Sequence, residues 1–121
     1  MYFLDSEIAW DFLKGDGKVV DNLRRIDKDY GLHITSISAA QLLAKANKDE
    51  EKIIVENFLK NIEVVDFGGK HAKAASYALG RGKMNELDLL NAAITRNHNF
   101  ILITRDVKKY VGFDVKLEEW K

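Results

Sequence analysis

The stretch Asp88-Leu89-Leu90-Asn91-Ala92-Ala93-Ile94-Thr95-Arg96-Asn97-His98-Asn99-Phe100-Ile101-Leu102-Ile103-Thr104-Arg105-Asp106 changes hydrophobic period partway along. Leu87, Leu90, Ala93 and Ile94 recur at the three- and four-residue spacing of an amphipathic helix, which is expected to end near Asn97-His98-Asn99. The run Phe100 to Thr104 is then continuously apolar up to its last residue, has the length of a strand, and is followed at once by Arg105-Asp106. A helix that hands over directly to a short apolar strand is the repeating unit of a sheet covered by helices.

The same alternation extends outward in both directions. Strands are expected at about Tyr2 to Asp5, His33 to Ser36, Glu63 to Asp66 and Phe100 to Thr104, with a weaker one at Asp114 to Leu117. Ile8, Phe12 and Leu13 form one helical stripe, and Val19, Val20, Leu23 and Ile26 form another after the Gly15-Asp16-Gly17 turn. Ala40, Leu43, Ala44 and Ala46 mark a helix with Ser38 in the capping position, and Ile53, Ile54, Phe58 and Leu59 mark the next. Gly68-Gly69 opens an alanine-rich helix running to Leu79, and Gly80-Arg81-Gly82 reads as its stop. The class is α/β, with one domain over residues 1–121 and no internal repeat or linker.

Composition narrows the function classes. Lysine plus arginine equal aspartate plus glutamate at 19 each, so any grip on a polyanion has to be local. No cysteine is present, which removes disulfides and thiolate metal sites and fits a reducing, cytoplasmic setting. No apolar run approaches the roughly 18 residues that span a bilayer, and the opening Met1-Tyr2-Phe3-Leu4-Asp5 lacks the basic start of a secretory signal.

Three acids are expected at one edge of the sheet. Asp5 closes the first strand, Asp106 follows the fourth, and Asp88 stands near the start of the helix leading into the fourth. The crevice beyond the carboxyl ends of the strands is the usual ligand site of an open α/β sheet. Hard divalent cations take oxygen ligands, and a bound cation offsets the repulsion among clustered carboxylates. A plainer role stands beside this one for Asp88 as a helix cap and for Asp106 as a turn residue. Asp5 is harder to assign to structure alone, because a charge closing a buried strand is costly unless something binds it.

These positions also carry a family resemblance. Tyr2-Phe3-Leu4-Asp5-Ser6 resembles the strand plus Asp-Thr-Asn opening of PIN domains, with Ser6 and Glu7 in place of the usual Thr and Asn. Ile34-Thr35-Ser36-Ile37-Ser38-Ala39-Ala40-Gln41-Leu42-Leu43 is similar to the second motif, with Gln41 where glutamate is usual. Asp88-Leu89-Leu90-Asn91-Ala92-Ala93 resembles Asp-x-x-Ile-Ala-Ala, and Thr104-Arg105-Asp106 resembles Thr-Arg-Asn/Asp. The resemblance, to PIN domains of the VapC toxin type, implies a three-layer α/β/α fold around a mostly parallel sheet of four or five strands. It also implies a Mg²⁺- or Mn²⁺-dependent endoribonuclease, dimeric, cytoplasmic and inhibited by a small VapB-like antitoxin. Asp5, Asp88 and Asp106 would be its metal-binding, catalytic residues.

Gln41 removes one charge from that pattern, since an amide offers a hard cation only a neutral carbonyl oxygen. Glu86 is the preferred compensator, with Glu7 next. Ser6 and Thr104 are candidate auxiliary groups, with simple capping as the alternative for Ser6. Arg105, Lys108, Arg81 and Lys83 are candidates for holding RNA phosphates. Tyr110 and Phe113 either stack on bases or, by the more favoured reading, pack the last strand, and Trp10 and Phe12 read as core or dimer-contact residues. His33, His71 and His98 show no ligand spacing. Two other function classes compete: a silent module that binds RNA or antitoxin without cutting, and a receiver-like phosphoacceptor, for which no convincing central acceptor aspartate is present.

Overall fold

The computed structural model describes residues 1–79 and 84–121. In chain order it contains β1 (Tyr2–Leu4), α1 (Ser6–Leu13), α2 (Gly17–Tyr30), β2 (Leu32–Thr35), α3 (Ser36–Lys45), α4 (Asp49–Lys60) and β3 (Glu63–Val65). These are followed by α5 (Gly69–Ala78), α6 (Glu86–Asn97), β4 (Ile101–Thr104), a 3-10 helix (Val107–Tyr110) and β5 (Lys116–Glu119). The strands form one five-stranded sheet in the order β3-β2-β1-β4-β5, and every neighbouring pair is parallel.

The side-chain period of two in β1 and β4 divides the core between the two faces of this sheet. Leu4 and Ile103 point to one side and pack with Ile8 of α1 and with Val19, Leu23 and Ile26 of α2. Phe3 and Leu102 point to the other and pack with Ala92 and Ile94 of α6 and with Tyr110. A third group joins Ala9 of α1 to Ile34, Leu42, Ala46 and Val55. The result is the three-layer α/β/α arrangement expected from the sequence.

Strand order reverses at β1. The chain builds outward from β1 through β2 to β3, then returns to place β4 on β1's other side and β5 beyond it. A crevice opens at such a switch point because the connections leaving the two central strands diverge. Asp5 stands at the carboxyl end of β1, and Arg105-Asp106 at that of β4.

Several expected details differ. The last strand is Lys116–Glu119, two residues later than expected at both ends, because Gly112 turns the chain at φ +94° and Asp114 remains exposed outside the sheet. In α3 the buried residues are Ser38, Ala39 and Leu42, while Ala40, Leu43 and Ala44 face solvent. The cap of this helix is Thr35, whose Oγ1 accepts from the Ser38 amide at 3.0 Å, so Ser38 lies inside the helix. Ile53 and Ile54 are exposed on α4, where Val55 is the buried residue. Helix α6 buries five consecutive residues, Asn91 to Thr95, so a one-sided stripe understates its contacts, and Leu87 is exposed. The stop expected at Gly80-Arg81-Gly82 lies outside the described residues.

Candidate active site

Asp5 is the residue around which the crevice is organised. It is the N-cap of α1, it is 1% exposed, and its Oδ1 accepts from the Ser6 amide at 2.9 Å. Its Oδ2 accepts from Thr104 Oγ1 at 2.8 Å and from the Tyr110 hydroxyl at 2.9 Å, and lies 3.3 Å from the Lys109 ammonium. A buried carboxylate is tolerated because these donors replace the water it has lost.

Behind Asp5 runs a buried polar chain. Tyr110 is 1% exposed, and its hydroxyl, while donating to Asp5, accepts from Asn91 Nδ2 at 3.1 Å. Asn91 Oδ1 in turn accepts from Thr35 Oγ1 at 2.5 Å and from Ser38 Oγ at 3.0 Å. β2, α3, α6, the 3-10 helix and β1 are thereby tied through side chains that all lie in the interior. Burial is the main force pushing the Tyr110 hydroxyl far above its ordinary pKa, and the Asp5 charge adds to it, so this group stays a proton donor.

The other acids surround this point more loosely. Asp88, in the first turn of α6, is half-buried. Burial raises its pKa from the ordinary value; Lys109 works against the rise, while Asp5, Glu7 and Asp106 add to it. Four carboxylates therefore share one field. Asp106 is exposed and caps the 3-10 helix, its Oδ1 accepting from the Lys108 amide at 3.0 Å. Its own amide donates to Thr104 Oγ1 at 3.2 Å. Among the described residues, no group of three or more His, Asp or Glu side chains is drawn together tightly enough to hold a metal ion as it stands.

Among the described residues, the cation inside this ring is Lys109. Its ammonium lies 3.3 Å from Asp5 Oδ2 and 3.9 Å from Glu7 Oε1. Burial works to lower its pKa, but Asp5, Asp88 and Glu7 outweigh that and raise it, so the charge is fixed. Sequence alone groups Lys109 with Lys108 as a candidate for holding backbone phosphates. A 3-10 helix turns successive residues by about a third of a circle, which leaves Lys108 exposed and Lys109 turned inward.

Other expected residues fall as follows. Glu7 is half-buried beside Lys109 and contributes to the field at Asp88, and Glu86 is exposed in the first turn of α6. Gln41 is half-buried on α3, one turn beyond Ser38. Ser6 is buried beneath Asp5. Arg105 is engaged within the chain: its Nε and Nη2 donate to Asp11 Oδ2 at 3.0 and 2.8 Å, Nη2 reaches Asp16 Oδ2 at 3.4 Å, and Nη1 donates to the Trp120 carbonyl at 3.2 Å. Tyr110 is likewise unavailable for stacking on bases. Arg81 and Lys83 lie outside the described residues.

The three histidines, unremarkable in sequence, come together on the far side of Phe3. His98 lies 5.8 Å from His71 and 5.6 Å from Phe100, and His33 lies 5.0 Å from Phe100, all between ring centroids. His71 Nδ1 accepts from the Gly68 amide at 2.9 Å, and His33 Nε2 pairs with Glu63 at 2.9 Å. Strand register brings His33 beside Phe3 and Glu63, a relationship that spacing along the chain does not reveal.

The PIN domain profile matches residues 2–110 of the chain. A chain of VapBC2 from Rickettsia felis, solved bound to a DNA fragment from its promoter, superposes with a TM-score of 0.87 at 24% identity, covering 99% of this chain and 98% of that one. A toxin-antitoxin complex from Klebsiella pneumoniae gives 0.83 at 17% identity, covering 100% and 99%. VapBC-1 from nontypeable Haemophilus influenzae gives 0.80 at 20% identity, covering 98% and 97%. No curated protein matches the chain. With its motifs in order, its acids at the switch point and a profile match over nearly its whole length, the chain belongs to the PIN domain family.

Proposed function

We propose that this chain is a VapC-type toxin, an endoribonuclease that hydrolyses RNA phosphodiester bonds with a Mg²⁺ or Mn²⁺ ion held by Asp5, Asp88 and Asp106. The observation that carries this reading is the buried Asp5, fixed by four donors at the carboxyl end of β1, with Asp88, Asp106 and Glu7 adding negative charge around it. The donor set is entirely carboxylate oxygen, which suits a hard divalent cation. When bound, such an ion lowers the pKa of a coordinated water and stabilises the charge that develops on phosphate.

The residues of the chain supply the rest. Tyr110, Thr104 and Ser6 hold Asp5 in a single orientation, so that a ligand is already in place before substrate arrives. Asp88 stands half-buried on the opening turn of α6, and Asp106 is exposed but engaged as the cap of the 3-10 helix. In this reading Lys108, which is exposed beside Asp106, meets a backbone phosphate. Partners follow from the same reading: an RNA substrate, a small VapB-like antitoxin as inhibitor and a second copy of the chain in a homodimer, all in the cytoplasm. Support for the antitoxin comes from the similar solved structures, which are toxin-antitoxin complexes.

A second reading is favoured by one pair of observations. Gln41 lacks the charge of glutamate, and Lys109 neutralises part of the cluster, so the chain is also suited to binding RNA or antitoxin without cutting. Incubating purified protein with structured RNA and Mn²⁺ separates the two. Cleavage that disappears in Asp5→Asn supports the nuclease; tight RNA or antitoxin binding with no cleavage by the wild type or by Gln41→Glu supports the silent module.

A further inference from the structure

Lys109 occupies a position with a consequence for the acids around it. Its ammonium sits between Asp5, whose side chain is 2% exposed, and Glu7, at 3.3 and 3.9 Å, while its own side chain is 26% exposed. This is a contact made to a buried carboxylate, unlike a solvated surface pair, and charges in such surroundings are only weakly screened. Asp5 Oδ2 already accepts from Thr104 and Tyr110, so the ammonium lies on its remaining open side.

The same short segment restrains Asp106. Its carboxylate is engaged in capping Lys108, at the start of the 3-10 helix that carries Lys109 inward. For Asp106 to turn toward Asp5 and Asp88 it must leave that cap, and the turn that positions Lys109 is thereby loosened. The occluding cation and one candidate ligand are mechanically linked through one turn of chain.

We propose that Lys109 is a tethered counter-cation, its ammonium standing in for the divalent ion at Asp5 and Glu7, so that Mg²⁺ or Mn²⁺ enters only by displacing it. The inference rests on the reading of Asp5, Asp88 and Asp106 as metal ligands, and it adds a gate to that site. Metal affinity is then set by a competition within the chain and not by the acids alone, and anything that draws Lys109 away, such as an RNA phosphate, raises it.

Mn²⁺ binding measured by calorimetry on the whole protein tests this. Lys109→Gln is expected to bind Mn²⁺ about tenfold more tightly than wild type, the scale of one close charge pair at a partly exposed site, while Lys109→Arg, which keeps the charge, stays near wild type. In EDTA Lys109→Gln should melt below wild type and regain more on adding Mn²⁺. Affinity in Lys109→Gln equal to or weaker than wild type overturns the proposal. Should that variant not fold, the ¹⁵N resonance of the Lys109 ammonium in the wild type gives the answer: it should shift on adding Mg²⁺, and an unchanged resonance at saturating Mg²⁺ overturns the gate. Cleavage is scored separately. Metal-dependent cutting with no gain in Lys109→Gln sinks the gate and leaves the nuclease standing; tighter Mn²⁺ binding with no cleavage by wild type, Gln41→Glu or Lys109→Gln does the reverse.

Discussion

The Tyr110 hydroxyl donates to Asp5 Oδ2 at 2.9 Å across 105 residues of sequence, and both residues are about 1% exposed. One oxygen thus joins the candidate ligand to the buried chain running through Asn91 to Thr35 and Ser38. Removing it in Tyr110→Phe leaves Asp5 and Asn91 each short of a partner. The expected loss is about 2 kcal/mol of unfolding free energy, with Mn²⁺ affinity also reduced. Urea denaturation checks the first; a change under about 0.5 kcal/mol would show that the contact contributes nothing.

Asn91 is the hub of that chain and stands where the family pattern has an isoleucine. Asn91→Leu matches the volume but leaves the hydroxyl protons of Thr35 and Ser38 without their acceptor and the Tyr110 hydroxyl without one donor, all in the interior. A loss of roughly 3 kcal/mol is expected, as buried groups left unpaired cost about 1–3 kcal/mol each and partial rearrangement recovers some of it. Stability equal to the wild type in urea would mean that the network is dispensable.

Much of the fold was legible because its signals are local. Phe100 to Thr104 is apolar at consecutive positions since β4 is covered on both faces, and Val19, Leu23 and Ile26 repeat at helical spacing because α2 buries one stripe. The faces of α3 and α4 were not legible, because alanine and leucine lie at the surface of α3 and isoleucine at that of α4, while Ser38 is drawn inside by Asn91. The edge strand β5 offers only Leu117 as an apolar residue and so reads weakly.

Around Asp5, the places of Asp5, Asp88 and Asp106 at the ends of elements were readable. Lys109 and Tyr110 were not, because their roles depend on which way a single 3-10 turn faces. The ion pairs of Arg105 are not readable for a related reason: Asp11 and Asp16 are far off in sequence, and the pairing of β1 with β4 brings α1 and the turn after it close to Arg105.

Gln41→Glu restores the charge that the family pattern places on α3. Mn²⁺ affinity is expected to rise by about tenfold and RNA cleavage to rise with it, since a carboxylate replaces a neutral carbonyl as a possible ligand. Calorimetry and a gel cleavage assay check both. Unchanged affinity would place residue 41 outside the metal's reach.

The histidine cluster predicts acid sensitivity. Burial is the main cause lowering the pKa of both His71 and His98 below 6.5, and Lys70 adds to it. The folded protein therefore prefers these groups neutral, while in the unfolded chain they take protons near the ordinary value. Their contribution to stability is full above about pH 6.5 and is lost as pH falls from there through the lowered folded values. His98→Phe, which suits the ring cluster of Phe3 and Phe100, should flatten melting temperature against pH between about 7 and 5. An unchanged slope would mean that another group controls it.

The most direct measurement is anomalous diffraction from crystals of the protein saturated with Mn²⁺. A single strong peak is expected roughly 2.1 Å from an oxygen of Asp5, with Asp88 or Asp106 in the same coordination shell and the Lys109 ammonium withdrawn. An absence of any peak at this crevice in saturating Mn²⁺, or a peak that shares no oxygen with Asp5, would contradict that expectation.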